Sequence, residues 1–223
     1  MTVAFDARPL IARPGVAAAL SIEIPATGVE DQDRIADAVV AHWNRLDWPD
    51  TLAAVSCFGN IDGRSVLVYS QWAQEPALDA GGVLVPAGFA AEAPTAYHLY
   101  RTVPGGGVPS PPPPAYCFPV AFFAVEPGES GRGKIDAMLA AEEAKAGTRR
   151  DYPGGIAAHM HVSADDTSIF VLSEWVSVEL HTAHIEEIWE ELLAQGGHRA
   201  LEQGKPATGD RFRHYATATV DAR

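Results

Sequence analysis

Cysteine is scarce in this chain: Cys57 and Cys117 are the only two in 223 residues. Two thiols at no metal-binding spacing exclude a disulfide framework and a cysteine-based zinc cage, and suit a reducing compartment as small buried side chains. Basic residues are scarce too, sixteen Lys and Arg against twenty-nine Asp and Glu, for a formal net charge of −13. The few cations are not clustered, so a nucleic-acid backbone and an anionic membrane surface are both excluded as partners. Long apolar runs are missing as well. The longest near the N-terminus, Val16 to Leu20, is too short for a signal-peptide core or a membrane span, and the expected location is cytoplasmic. Nor is there a dinucleotide fingerprint, because the glycines of "GESGRG" miss its spacing, and no Ser-His-Asp order suggests a nucleophile elbow.

What is present is a sentence written twice. "PDTLAAVSCFGNIDGRSVLVYSQW", Pro49 to Trp72, returns as "PGGIAAHMHVSADDTSIFVLSEW", Pro153 to Trp175. Between the copies lies "VPGGGVPSPPPPA", whose glycines predict a flexible first half and whose prolines predict an extended second half. The chain therefore divides into an N-terminal domain, residues 1–102, a Gly/Pro-rich linker, 103–115, and a C-terminal domain, 116–223. The proline run could also dock on an aromatic-lined module, but between homologous halves it reads as a spacer.

Each half runs in the same order. "VAAALSIEI" and "FPVAFFAVE" predict strands, and the helices that follow carry Ile35, Val39, Trp43 and Leu46 in one copy and Ile135, Met138 and Leu139 in the other. Two β-rich runs joined by a short turn predict a hairpin in each copy. A second helix is clear only in the later copy, where Leu180, His184, Ile188 and Leu192 recur at helical spacing, with Ile185 and Trp189 widening the stripe. In the earlier copy it is degenerate, reduced to a turn around Pro76 to Ala80. Closing strands follow, with Tyr97/Tyr100 aligned to Phe212/Tyr215. The order β-α-β-β-α-β predicts an α+β fold of two tandem ferredoxin-like domains. Helices on one side leave the other face of each sheet bare, and the cheapest cover is the sibling sheet, giving an intramolecular dimeric α/β barrel. A homodimer that exchanges halves is left open.

The pattern from Pro153 through His161 and Asp165 to Glu174-Trp175 resembles the antibiotic biosynthesis monooxygenase superfamily, over most of residues 15–102 and 116–221. That resemblance implies a cavity between sheet and helices, no cofactor, and chemistry in which a deprotonated aromatic substrate gives electrons directly to dioxygen. It also implies a His fourteen residues before the Trp, where His161 stands, and an Asn four before it. Here Val171 and, in the first copy, Val68 occupy that second position, and the first-copy equivalent of the histidine is Cys57 or Phe58. Valine supplies volume where an amide would hold an oxygen.

His159 and His161 alternate along a strand and share one face, with Met160 on the other. His161 is the candidate acid–base residue. Trp175, His159, His181, Ser173, Val171 and Trp72 are the candidate substrate contacts. Trp72 is also read as core, and Tyr215 as structural. A metal held by His159, His161, His181 and His184 is weighed and set aside, leaving no metal site. Glu142-Glu143 and the acidic run from Glu186 are read as solvated helix faces. The expected activity is a cofactor-independent, monooxygenase-like oxidation of an aromatic or polyketide-type molecule of bacterial secondary metabolism. The alternatives are a non-catalytic ligand-binding or regulatory barrel and a polyketide cyclase or isomerase.

Overall fold

Apolar runs bounded by turn residues become strands here, and the computed structural model describes them over residues 2–4, 8–76, 82–89, 91, 93–147, 150–194 and 208–219. The elements are β1 (Thr2–Ala4), β2 (Ala18–Pro25), α1 (Val29–Trp43), β3 (Leu52–Asn60), β4 (Ser65–Trp72), β5 (Thr95–Pro104), β6 (Phe118–Ala124), α2 (Gly131–Ala146), β7 (Gly155–Ser163), β8 (Ser168–Trp175), α3 (Val178–Ala194) and β9 (Thr208–Thr219). They form two compact units, Met1–Leu99 with Phe212–Arg223, and Tyr100–Arg211. The fold class is the expected one, α+β with repeated ferredoxin-like units.

In the first unit β2 lies between β4 and β5, and β3 pairs with β4, so the strand order is β3-β4-β2-β5. That is the split-βαβ order of a ferredoxin-like sheet. The hairpin expected from the repeat is there, with Leu52 opposite Trp72 and Phe58 opposite Leu67. The other edge of β3 is covered by β9, which pairs from Ala54↔Thr219 to Asn60↔Phe212. An uncovered edge would expose a row of unpaired backbone groups, and β9 satisfies them. The strand that closes the second sequence repeat thus contributes Phe212–Thr219 to the first unit's sheet, so compact units and sequence repeats divide the chain differently.

One face of this sheet packs on α1, whose Ile35, Ala36, Val39, Val40 and Trp43 enter a buried cluster with Leu20, Leu52, Val55, Cys57, Val68 and Trp72. Leu46, expected on the same stripe, packs at its margin beyond the end of the helix. The buried Gln32 ties α1 to the hairpin by donating from Nε2 to the carbonyls of Asn60 (2.8 Å) and Ser65 (2.7 Å). The helical turn expected around Pro76 to Ala80 falls largely outside the described residues. Beyond it, Leu84 caps the cluster, its carbonyl accepting from Trp43 Nε1 at 2.9 Å.

The second unit repeats the plan with the order β7-β8-β6, β5 beside β7 and β9 beside β6. Its small core is Ile135, Val162 and Ile169, with Tyr100, Phe123, Leu139, Met160 and Val171 around it. The two units share details. A bulge interrupts the hairpin at the same place, between Leu52 and Ala54 and between Gly155 and Ala157. A strand tyrosine also bonds an aspartate on the helix in each: Tyr215 Oη donates to Asp37 at 2.5 Å and Tyr100 Oη to Asp136 at 2.7 Å. Tyr215 is accordingly structural. Met138 and Ile188, expected on apolar stripes, are exposed instead.

The linker glycines have a different reason from the one expected. Gly105 and Gly107 lie so close to the start of β7 that a Cβ would sit 2.0 Å from the Gly155 carbonyl and 2.2 Å from that of Tyr152. Backbone bonds from Gly105 to Ile156 and from Gly106 to Arg150 hold the segment there. These glycines permit close approach rather than flexibility.

Candidate functional site

The cross-strand register locates where the second unit departs from the first. Counted from the paired tryptophans, Leu52, Val55 and Cys57 of β3 correspond to Gly155, Ala158 and Met160 of β7, while β4 and β8 match as Val68/Val171, Ser70/Ser173 and Trp72/Trp175. Leu52, Val55 and Cys57 fill the core against α1. Replacing a leucine by glycine and a valine by alanine removes that filling. The second unit is hollow at this place, with a cavity of about 210 Å³.

Its floor is Ala158, Met160, Val171, Ser173 and Trp175, its far wall His181, His184 and Ile185 of α3, and its rim Glu142, Arg150 and Tyr152. An adjoining open groove of about 420 Å³ shares Val103, Pro104, Leu139 and Arg150 with it. Four of the lining residues carry aromatic rings, and these rings touch one another. Trp175 meets His181 edge-on at 5.1 Å between ring centres and His184 at 5.0 Å, and Tyr152 lies 4.4 Å from His184. Gly154 allows α3 to approach: it has φ +81°, and a Cβ there would come 2.5 Å from Leu180 Cδ1.

Of the residues expected at a site, the cavity gathers Trp175, His181, Ser173 and Val171. His159 and His161 are not among its walls. Strand alternation that points Met160 into the cavity points both histidines to the opposite face. There His161 is fully buried, its Nδ1 3.1 Å from the His159 carbonyl and 3.2 Å from that of Phe170. Burial pushes its pKa down to about 3, with a smaller contribution from His159. His159 bridges Glu174 (2.9 Å, from Nε2) and Thr102 (3.2 Å, from Nδ1). The register also identifies the first-unit counterpart of His161: Phe58, opposite Leu67 as His161 is opposite Phe170. Trp72 is buried in the first unit's core with its indole donating to Ser70 Oγ at 2.9 Å. The His159/His161 pair and the His181/His184 pair lie on different faces of β7, so the four imidazoles do not converge. Among the described residues no group of three or more metal-binding side chains occurs.

The cavity imidazoles are neutral. Arg211 Nε donates to His181 Nδ1 at 3.0 Å, which places the ring proton on Nε2. Burial, then Arg211, then His184 lower the His181 pKa to about 4. Burial also lowers that of His184, while Glu187 and Glu142 favour its charged form. Tyr152 is held protonated, its pKa pushed up to about 12 by burial and by its bond to Glu142.

Glu142, Arg150 and Tyr152 are the site residues that composition and spacing did not single out. Glu142 was expected on a solvated face, but it accepts the Tyr152 hydroxyl and lies on the cavity rim. Arg150 pairs with Glu143 through Nη2 at 2.5 Å and holds a left-handed backbone, φ +46°, fixed by bonds from Gly106 and Tyr152 to its carbonyl. Among the described residues its buried Nε has no hydrogen-bond partner, and it lies 3.8 Å from Glu142 Oε2. An unmet buried donor of this kind costs about 1–3 kcal/mol. No sequence signal marks it, because the strain and the orphan donor exist only in three dimensions.

Neither a protein-family model nor a curated protein sequence matches the chain. Solved structures do. An anthrone oxidase-like protein superposes with a TM-score of 0.62 at 13% identity, over 92% of this chain and 94% of its own. A candidate monooxygenase of Fusobacterium nucleatum gives 0.53 at 6% identity, over 95% and 98%. What the chain shares with these proteins is the fold, an α+β plan of repeated ferredoxin-like units. A Listeria monocytogenes ferredoxin-fold protein related to antibiotic biosynthesis monooxygenases is similar at 12% identity, with a TM-score of 0.49 over 90% and 95% of the two chains. At such identities the likeness concerns the backbone and leaves the chemistry to the side chains. No helix among the described residues is long and apolar enough to cross a membrane.

Proposed function

We propose that the second unit binds a flat aromatic small molecule in the cavity beside Trp175 and oxidises it with dioxygen, without flavin or metal. The observation that carries this reading is the aromatic-lined hollow itself, made by Gly155 and Ala158 where the first unit has Leu52 and Val55. A cavity of about 150 Å³ can hold benzene. The 210 Å³ here takes a one- or two-ring head, and a larger polyketide-type body would extend over the adjoining groove. In an anthrone-type reaction the ring methylene supplies four electrons to O₂. One oxygen atom becomes the new carbonyl and the other leaves as water. The protein's part is to hold the ring and take the first proton. His184 suits that step, because it is an unprotonated imidazole on the cavity wall whose charged form Glu187 and Glu142 would stabilise. His161, assigned the role from sequence, stands on the other face of its strand.

A second reading rests on Val171, which lines the cavity where the resemblance led to an asparagine. Without that amide the site would bind the same ligand and not turn it over. One experiment separates the two: oxygen uptake with an anthrone in metal- and flavin-free buffer, beside calorimetric binding of the same compound. Uptake above the protein-free rate, lost in His184→Ala and kept in His161→Ala, supports the enzyme. Binding without uptake supports the second reading, and neither binding nor uptake ends both.

A further inference from the structure

The rim of the cavity holds one carboxylate between two donors. Glu142 takes the Tyr152 hydroxyl, while 3.8 Å from its other oxygen the Arg150 Nε lies buried with no acceptor among the described residues. Arg150 is anchored from its far end by Glu143 and through its backbone by Gly106 and Tyr152, so its Nε cannot easily turn to find another partner. Glu142 can move, because its side chain is about a third exposed (31%) against 13% for Arg150. A shift of roughly 1 Å would bring its carboxylate to normal charge-assisted hydrogen-bond distance from Nε. The same shift lengthens and weakens the Tyr152 bond, freeing its hydroxyl to turn to another acceptor, and the Tyr152 ring already lies on the cavity rim against His184.

Resting on the proposed aromatic site, we infer that Tyr152 is its ligand-positioning residue, with Glu142 as the exchangeable group. Glu142 occupies the tyrosine hydroxyl. When a ligand presents an uncharged acceptor oxygen on its ring edge, Glu142 transfers to Arg150 Nε and Tyr152 donates to the ligand. Both sides of the exchange then have satisfied hydrogen bonds, whereas the present arrangement leaves one buried donor unmet. Glu142 on the rim and Glu143 in the adjoining groove set two carboxylates against one guanidinium, which disfavours an anionic ligand. The site therefore selects a neutral planar ketone over a carboxylate of the same size.

The test compares chromone, a neutral bicyclic ketone, with naphthalene, which has no acceptor, and 2-naphthoate, an anion, by isothermal titration. Wild type is expected to bind chromone at least tenfold tighter than either of the others. Tyr152→Phe should cut that preference below threefold while naphthalene affinity stays within twofold. Arg150→Lys, which keeps the charge but removes Nε as the second seat for Glu142, should reduce the preference as well. Equal binding of chromone and naphthalene by wild type overturns the inference and leaves the aromatic site standing, as does a Tyr152→Phe protein that keeps the full preference. A preference lost in Tyr152→Phe but intact in Arg150→Lys overturns the exchange. If none of the three compounds binds, the aromatic site falls with it. Should Arg150→Lys fail to fold by circular dichroism, the wild-type ratios and Tyr152→Phe decide.

Discussion

Ala158→Leu should make the protein more stable and less able to bind. Ala158 lies on the cavity floor at the position where the first unit has Val55, packed against its helix. Leucine adds three methylene equivalents, worth about 2.4 kcal/mol at about 0.8 kcal/mol each. Ordering the side chain costs about 0.5–1 kcal/mol, leaving a net gain of about 1.5 kcal/mol. Cavity energetics agree, since about 24 cal/mol per Å³ makes 1.5 kcal/mol equivalent to filling roughly 60 Å³. That is well within the 210 Å³ available. For a chain of this length the melting temperature should rise about 3–6 °C. The space remaining is that of one small ring, so a bicyclic ligand should lose at least tenfold in affinity. Differential scanning fluorimetry and isothermal titration on the same preparation read both numbers. A variant that is stabilised yet binds with wild-type affinity would show that the ligand sits elsewhere. A destabilised variant would show that the floor is closed to added volume.

Acid should unfold the protein through its buried histidines. His161 and His181 have folded-state pKa values of about 3 and about 4 against 6.5 in the unfolded chain, so the unfolded state binds more protons in between and stability falls as pH drops from about 6.5 towards 3. His161→Phe, which installs the side chain Phe58 has at the matching register, should flatten that loss in urea midpoints measured from pH 7.5 to 4.5; an unchanged slope refutes the assignment. Gly154→Ala should lower stability by about 2 kcal/mol or more, because alanine at positive φ costs about 1–2 kcal/mol before its contact with Leu180 is counted. Chemical denaturation checks this, and an unaffected midpoint would mean that α3 yields freely. Gln32→Leu strips two buried carbonyls of their donor and should cost about 2–3 kcal/mol, whereas a neutral result would mean that water reaches the turn at Asn60.

Much of this was legible because it is periodic or repeated. The β-rich run "RSVLVYSQW" and the helical spacing of Ile35, Val39 and Trp43 depend on local propensity and geometry, and both elements formed where those placed them. Duplication carried the rest of the plan, down to a bulge in the same place in each hairpin. The site was legible only in part. Trp175, Ser173, Val171 and His181 could be grouped in advance because small polar and aromatic residues on a strand and the following helix suggest a wall, and all four line the cavity. Their partners could not, since Glu142 looks like any solvated helix carboxylate and Arg150 like any surface cation until the fold brings them to one rim. That His161 stands away from this cavity was not legible, for a reason of register. A strand's period of two shows that His159 and His161 share a face, but it does not say which face the helices cover.

By itself, then, the amino-acid order determined two ferredoxin-like repeats, the position of their main strands and helices, and a net negative charge, because propensity, periodicity and charge are properties of neighbours along the chain. Only the tertiary structure decided that β9 covers β3, that one unit is filled and the other hollow, and that Tyr152, Glu142 and Arg150 meet. Those outcomes depend on volumes and distances between residues remote in the chain, where exchanging one leucine for a glycine opens a cavity that no local pattern records.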